Sequence, residues 1–178
     1  MIYVFLTDGF EEMEAIAPID LLRRTGVVLQ TIGIGGKSVT GSHGITITCD
    51  ITEDEMDAAN CDGLILPGGP GRTKLAQSPV VMDALKAVSQ RGGLLAAICG
   101  SPPILGQAGY LQGKKACCYP GFEDQLTGAQ VVFDPVVVDG NIITSRGAGT
   151  ATEFALACVS YLASPEMAAK IAEQIVYG

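Results

Sequence analysis

Tryptophan is absent from these 178 residues, histidine occurs once, at position 43, and aromatic residues make up only 6%. A single histidine leaves no way to build a histidine-rich zinc site, and no C-x-x-C pair stands in for one, so no metal is expected. It also weakens a Cys–His hydrolase, which needs an imidazole to activate its thiol. Basic residues are outnumbered 11 to 19 by acidic ones, and they cluster no further than Arg23-Arg24 and Lys114-Lys115. With a net charge of −8, that argues against a nucleic-acid-binding surface. No apolar run exceeds strand length, so no membrane partner is expected. The opening "MIYVFLTDGFEE" lacks the basic flank and long apolar core of a leader, and a cytoplasmic location is expected. A phosphate-binding P-loop is missing too, the nearest stretch, "GIGGKS", being too short.

What is present is a large apolar fraction, 48%, and 23 glycines. Short apolar runs alternate with helical patterns. "IYVFL" (Ile2 to Leu6) reads as a strand covered on both faces. "TDGFEEMEAIAPIDLLRRTG" reads as a helix with acids in its first turn, arginines in its last and Gly26 at its end. Its apolar positions Met13, Ile16, Ala17, Ile19, Leu21 and Leu22 suggest the face it buries. Strands are expected at Val27 to Ile34, at "ITITC" (Ile45 to Cys49), before Pro67 and over "GGLLAAIC". Helices are expected over Val80 to Gln90 and from Ser101 to Gly109. Shorter strands follow, then two closing helices with Thr150 or Thr152 as candidate caps and Pro165 in a first turn. The alternation predicts a single domain over residues 1–178, a three-layer α/β/α sandwich around a mostly parallel sheet.

In open α/β sheets, ligands bind beyond the carboxyl ends of the strands. Three turns can meet there: "TDGFEEME", "LPGGPG" and the one after "LLAAIC". Cys99 ends that last strand at an elbow where Gly100 permits a sharp turn, Ser101 can cap a helix and Pro102 suits its first turn. A helix N-terminus beside the sulfur would favour thiolate. By local pattern, a packed core thiol explains Cys99 as readily as a nucleophile does. The glycines after Pro67 could offer amides to an oxyanion, or simply turn the chain. Glu11, Glu12 and Glu14 could be a solvated helix start, or one of them could be buried beside a thiol and carry a proton. Cys117 and Cys118 read as packing, and His43 as an exposed loop residue.

Together, "GFEEMEAIAPIDLLRRTG", "LPGGPG", "AAICGSP" and "ITSRGAGTATEFAL" resemble the DJ-1/PfpI (ThiJ) superfamily, in its DJ-1-like branch, over essentially the whole chain. The resemblance implies a flavodoxin-like fold and a homodimer. It implies an oxidation-sensitive nucleophile at Cys99 and a protonated acid touching its sulfur at Glu14. It places an oxyanion site at Gly68, Gly69 and Gly100, with Tyr119 and Arg146 at the pocket. Arg24 would lie at the interface and Asp20 would be a buried acid beneath the pocket. Tyr119 stands where relatives commonly carry a histidine, and Gly100 where protease-type relatives carry one; both departures argue against peptidase activity. The implied function is a cofactor-independent glyoxalase or deglycase acting on small dicarbonyls. The alternative is an oxidation sensor or redox-dependent chaperone using the same cysteine. A role in thiazole monophosphate biosynthesis has no support in these residues.

Overall fold

The computed structural model describes all residues 1–178. In chain order the elements are β1 (Ile2–Leu6), α1 (Glu12–Thr25), β2 (Leu29–Gly33), β3 (Ser38–Thr40), β4 (Thr46–Thr48), β5 (Ile51–Thr52), β6 (Gly63–Leu66), α2 (Arg72–Gln77) and α3 (Pro79–Gln90). There follow β7 (Leu94–Ile98), α4 (Pro102–Gln107), β8 (Lys115–Ala116), β9 (Gln130–Val131), β10 (Val136–Asp139), β11 (Ile142–Ser145), α5 (Ala151–Leu162) and α6 (Pro165–Gln174). Seven strands form one sheet in the order β10-β11-β7-β6-β1-β2-β5. Every neighbour pair is parallel except β10 with β11. No helix is long and apolar enough to cross a membrane.

Strand alternation divides the core. Ile2, Val4 and Leu6 of β1 point to the layer of α1, α5 and α6, with Ile65, Ala96, Ile98 and Phe154. Tyr3 and Phe5 point the other way, with Leu64, Leu66, Leu95, Ala97 and the buried faces of α3 and α4. The helices end where local chemistry stops them. Ser78 caps α3, its hydroxyl accepting from the Val81 amide at 3.4 Å, with Pro79 in the first turn. Ser164 and Pro165 start α6 in the same way. Gly26 closes α1 at φ +82° and donates to the Arg23 carbonyl.

Several expected details differ. Met13 and Ile16 are exposed, because the stripe that meets the core is Ala15, Pro18, Ile19 and Leu22 and the helical period turns 13 and 16 away from it. The run at Ile45 shortens to β4, which pairs with β3 in a separate hairpin. Thr150 precedes α5 without capping it, its hydroxyl being engaged by Ser145 and Gly147 instead. The six-residue α2 is too short to show a period and was not foreseen.

Candidate active site

Strands β1, β6 and β7 are adjacent, so the three turns singled out in the sequence meet at one sheet edge. Cys99 follows β7 and is tied down on both sides. Its amide donates to the Ser145 carbonyl at 2.9 Å, and its carbonyl accepts from the Tyr119 amide at 2.7 Å. Its φ is +64°, a left-handed conformation that costs a non-glycine residue about 1 kcal/mol or more. That turn has a consequence for the side chain. Alternation along β7 would send position 99 to the α3 and α4 face with Leu95 and Ala97. Instead the sulfur packs on the α1 side, where Glu14 stands.

Glu14 owes its place to the start of α1. Glu11 is the N-cap and accepts from the Glu14 amide at 2.8 Å, which sets the first turn and aims Glu14 at the sheet. Glu14 is 1% exposed. Its Oε2 accepts from the Gly68 amide at 2.8 Å. Burial pushes its carboxyl up to about 7, against the opposing pull of the Gly68 amide and the Cys99 thiol. A Cβ at Gly68 would lie 2.6 Å from that Oε2 and 3.0 Å from the Cys99 sulfur, so only glycine leaves acid and thiol together. Gly69 turns at φ +87°.

The sulfur differs from expectation in one respect. Burial pushes the Cys99 thiol up to about 12, helped by the neighbouring Glu14 charge; the amides of Gly100 and Gly69 pull it back only in part. The helix behind it, α4, is six residues long, and Ser101 does not cap it but donates to the Pro67 carbonyl at 2.6 Å. A short helix provides too little dipole to overcome burial. Cys99 and Glu14 are therefore hydrogen-bonded neighbours, and the Glu14 charge helps keep the thiol protonated. Cys99 is also the one cysteine that is not buried: Cys49, Cys61, Cys117, Cys118 and Cys158 all lie in the interior.

A cleft of roughly 440 Å³ opens beside the pair, lined by Tyr119, Pro120, Arg146, Gly147 and Thr150. Gly147 links the two, since a Cβ there would lie 3.4 Å from the Tyr119 ring and 4.0 Å from Glu14 Oε1. Arg146 is half-buried and donates only a long 3.5 Å contact to the Phe133 carbonyl.

Asp20 and Arg24 stand elsewhere. They form an ion pair at 3.0 Å with both side chains about half exposed, so Asp20 is not a buried acid. The buried acid that sequence reasoning missed is Glu12, 6% exposed, which faces the tip of the β3–β4 hairpin. It accepts from the His43 amide at 2.7 Å and lies 2.9 Å from His43 Nδ1. Burial raises Glu12, but the His43 and Ile45 hydrogen bonds outweigh it and bring the carboxyl down to about 2. The only histidine is thereby committed to a latch between hairpin and helix. Local pattern does not separate Glu12 from Glu14, although the family resemblance singles out Glu14; in the fold the roughly 200° between them around the helix sends one to His43 and the other to the sulfur.

The chain is a flavodoxin-like α/β sandwich that sets a cysteine elbow and a buried carboxyl side by side at its sheet edge. The DJ-1/PfpI family model matches residues 1–161, and the chain belongs to that family. It is 38% identical to protein dj-1beta of Drosophila melanogaster over 177 residues, 97% of this chain and 95% of that one. The crystal structure of the Drosophila DJ-1beta protein superposes with a TM-score of 0.94 over 99% of this chain and 97% of that one. A glutathione-independent glyoxalase of Caenorhabditis elegans is 37% identical over 88% of this chain and 84% of its own length. A deglycase of Pyrococcus abyssi is 33% identical over 83% of this chain and 90% of its own.

Proposed function

We propose that the protein is a cysteine-dependent, cofactor-independent glyoxalase or deglycase acting on small dicarbonyls such as methylglyoxal or on early glycation adducts. The observation that carries this reading is the buried Glu14 carboxyl, held near neutrality against the Cys99 sulfur. Relatives named as a glyoxalase and a deglycase support it. As the sulfur attacks the aldehyde carbon, its proton passes to the Glu14 carboxylate, and the C=O pair becomes an oxyanion facing the Gly69 and Gly100 amides. Protonation of that oxyanion gives a hemithioacetal. Glu14 then moves a proton from the former aldehyde carbon to the adjacent one through an enediol, leaving a thioester. Water cleaves the C–S bond, returning the thiol and releasing a 2-hydroxy acid. The sum is dicarbonyl plus water to hydroxy acid, with no net oxidation.

The test is lactate formation from methylglyoxal by fully reduced protein, with Cys99→Ala and Glu14→Gln as controls. Turnover is expected in the native protein alone, with kcat/KM rising through about pH 7 as Glu14 gains the charge it needs as a base. Equal rates in native and Cys99→Ala protein would refute the reading.

Cys99 is the one cysteine of six that is not fully buried, which favours a second reading, an oxidation sensor or redox-dependent chaperone. Peroxide would oxidise the Cys99 sulfur to sulfenate and then sulfinate, with the Glu14 proton available to hydrogen-bond the new oxygens. The outward face of α1 suits the homodimer. Met13, Ile16 and Ile45, each more than 40% exposed, line an apolar groove of roughly 360 Å³ with Ala17 and Ala151.

A further inference from the structure

Arg72 takes no part in the chemistry above, yet it is built against the elbow. It is the first residue of α2, and its side chain lies on the α-carbon of Gly100, the residue after the nucleophile. A Cβ at Gly100 would fall 2.5 Å from both Cδ and Nε of Arg72. The guanidinium stacks over the Phe122 ring at 4.5 Å from its centroid, and Phe122 in turn meets Tyr119 edge-on at 6.2 Å. The arginine is thus held in place by carbon and by an aromatic face, while its charge goes unanswered. Arg23 and Arg24 are paired with Asp50 and Asp20, and Arg91 donates to the carbonyls of Ala58 and Cys61. Arg72 has no carboxylate partner, and no protein acceptor takes its guanidinium N–H groups.

The cleft that Arg72 lines, roughly 290 Å³, also contains Gly100. Its polar side chains are Thr73, Gln77, Gln107 and Gln125, all neutral donors, with no acid among them. In a chain carrying 19 acidic residues and a net charge of −8, a polar cleft free of acids around an unpaired arginine is a place arranged for an anion. We infer that Arg72 and this cleft bind a carboxylate or phosphate group of the molecule that reacts at Cys99, directing the thiol toward anionic electrophiles. The planar guanidinium offers a fork of donors suited to either oxyanion, and the side-chain amides of Gln77, Gln107 and Gln125 line the same cleft. Gly100 then serves both ends of the substrate, its amide toward the reacting oxygen and its α-carbon beneath the anchoring arginine. This narrows the substrate class of the carbonyl reading above to compounds bearing an oxyanion near the electrophilic carbon. It requires only that Cys99 be reachable, so its test does not depend on turnover.

The test compares alkylation of Cys99 by iodoacetate, an anion, and by iodoacetamide, its neutral analogue. In both, the sulfur forms a bond to the methylene carbon, the C–I bond breaks, iodide leaves and the thiol proton passes to Glu14 or to water. Peptide mass and a Cys99→Ser variant confirm the site. The ratio of iodoacetate to iodoacetamide rates is expected to fall about fivefold in Arg72→Met, the effect of one partly screened charge at close range. It should hold in Arg72→Lys and in Lys74→Met, which removes an exposed charge from the same helix. Acetate or inorganic phosphate should slow labelling of the native protein but not of Arg72→Met, and the better protector names the anion. A ratio unchanged in Arg72→Met, an equal fall in Lys74→Met, or no protection by either anion would overturn the assignment.

Discussion

Replacing Glu14 by glutamine isolates the energetic consequence of burying an acid beside the thiol. The carboxyl ordinarily titrates at 4.5 and is raised to about 7 in the folded protein. Between those values the folded state keeps a proton that the unfolded chain has released, so stability falls as pH rises across that window and levels off above it. The full penalty is about 3 kcal/mol, of which roughly 2.5 kcal/mol develops between pH 5 and pH 8. Glutamine carries no charge, and its amide can still accept from the Gly68 N–H and donate toward the sulfur. Glu14→Gln should therefore gain about 2.5 kcal/mol on the native protein between pH 5 and pH 8, or roughly 7 °C in Tm for a chain of this size. Urea titrations at the two pH values, with the thiols kept reduced, measure it. A difference between variant and native protein that does not change with pH would show that Glu14 is not held neutral by burial. A native protein stabilised by raising the pH through this window would show the sign to be wrong.

Two further outcomes follow from the geometry. Cys99→Gly should be more stable than Cys99→Ala by about 0.5–1 kcal/mol in thermal unfolding, because φ +64° strains alanine and not glycine, even though glycine gains more entropy on unfolding; the reverse order would show that the elbow relaxes. On the homodimer proposed above, native protein should sediment as a dimer and Ile16→Asp, at a position 43% exposed on the outer face of α1, as a monomer with its far-ultraviolet spectrum intact; a dimeric variant would place the contact on another face, and a monomeric native protein would refute the dimer.

Much of the architecture was legible because it follows from local patterns. Continuous apolar runs such as "IYVFL" and "LLAAI", too short for a core helix and bounded by turn residues, read as strands buried on both faces, and the helical segments between them suit parallel crossovers. The elbow was legible for a similar reason: an apolar strand that stops at Cys99-Gly100 before Ser-Pro-Pro must turn there. The three candidate turns were each readable, but their meeting was not, since strand order depends on pairings between residues far apart in sequence.

Other features were beyond local reasoning because they depend on direction and distance in space. The sequence alone determined a cysteine at a sharp turn after a buried strand, carboxylates at the start of the first helix, and glycines where the backbone must pass closely. The motif resemblance pointed to Glu14, but only the tertiary structure gave the physical reason, because Glu12 and Glu14 turn to different faces of the helix, one to His43 and the other to Cys99. It set the thiol's proton affinity through burial, against the pull that a helix terminus suggests in one dimension. It left Asp20 half exposed beside Arg24, and it laid Arg72 on Gly100 although nothing in the sequence of that short helix points there. Burial and orientation arise only when distant segments pack, and they decide what a titratable group does.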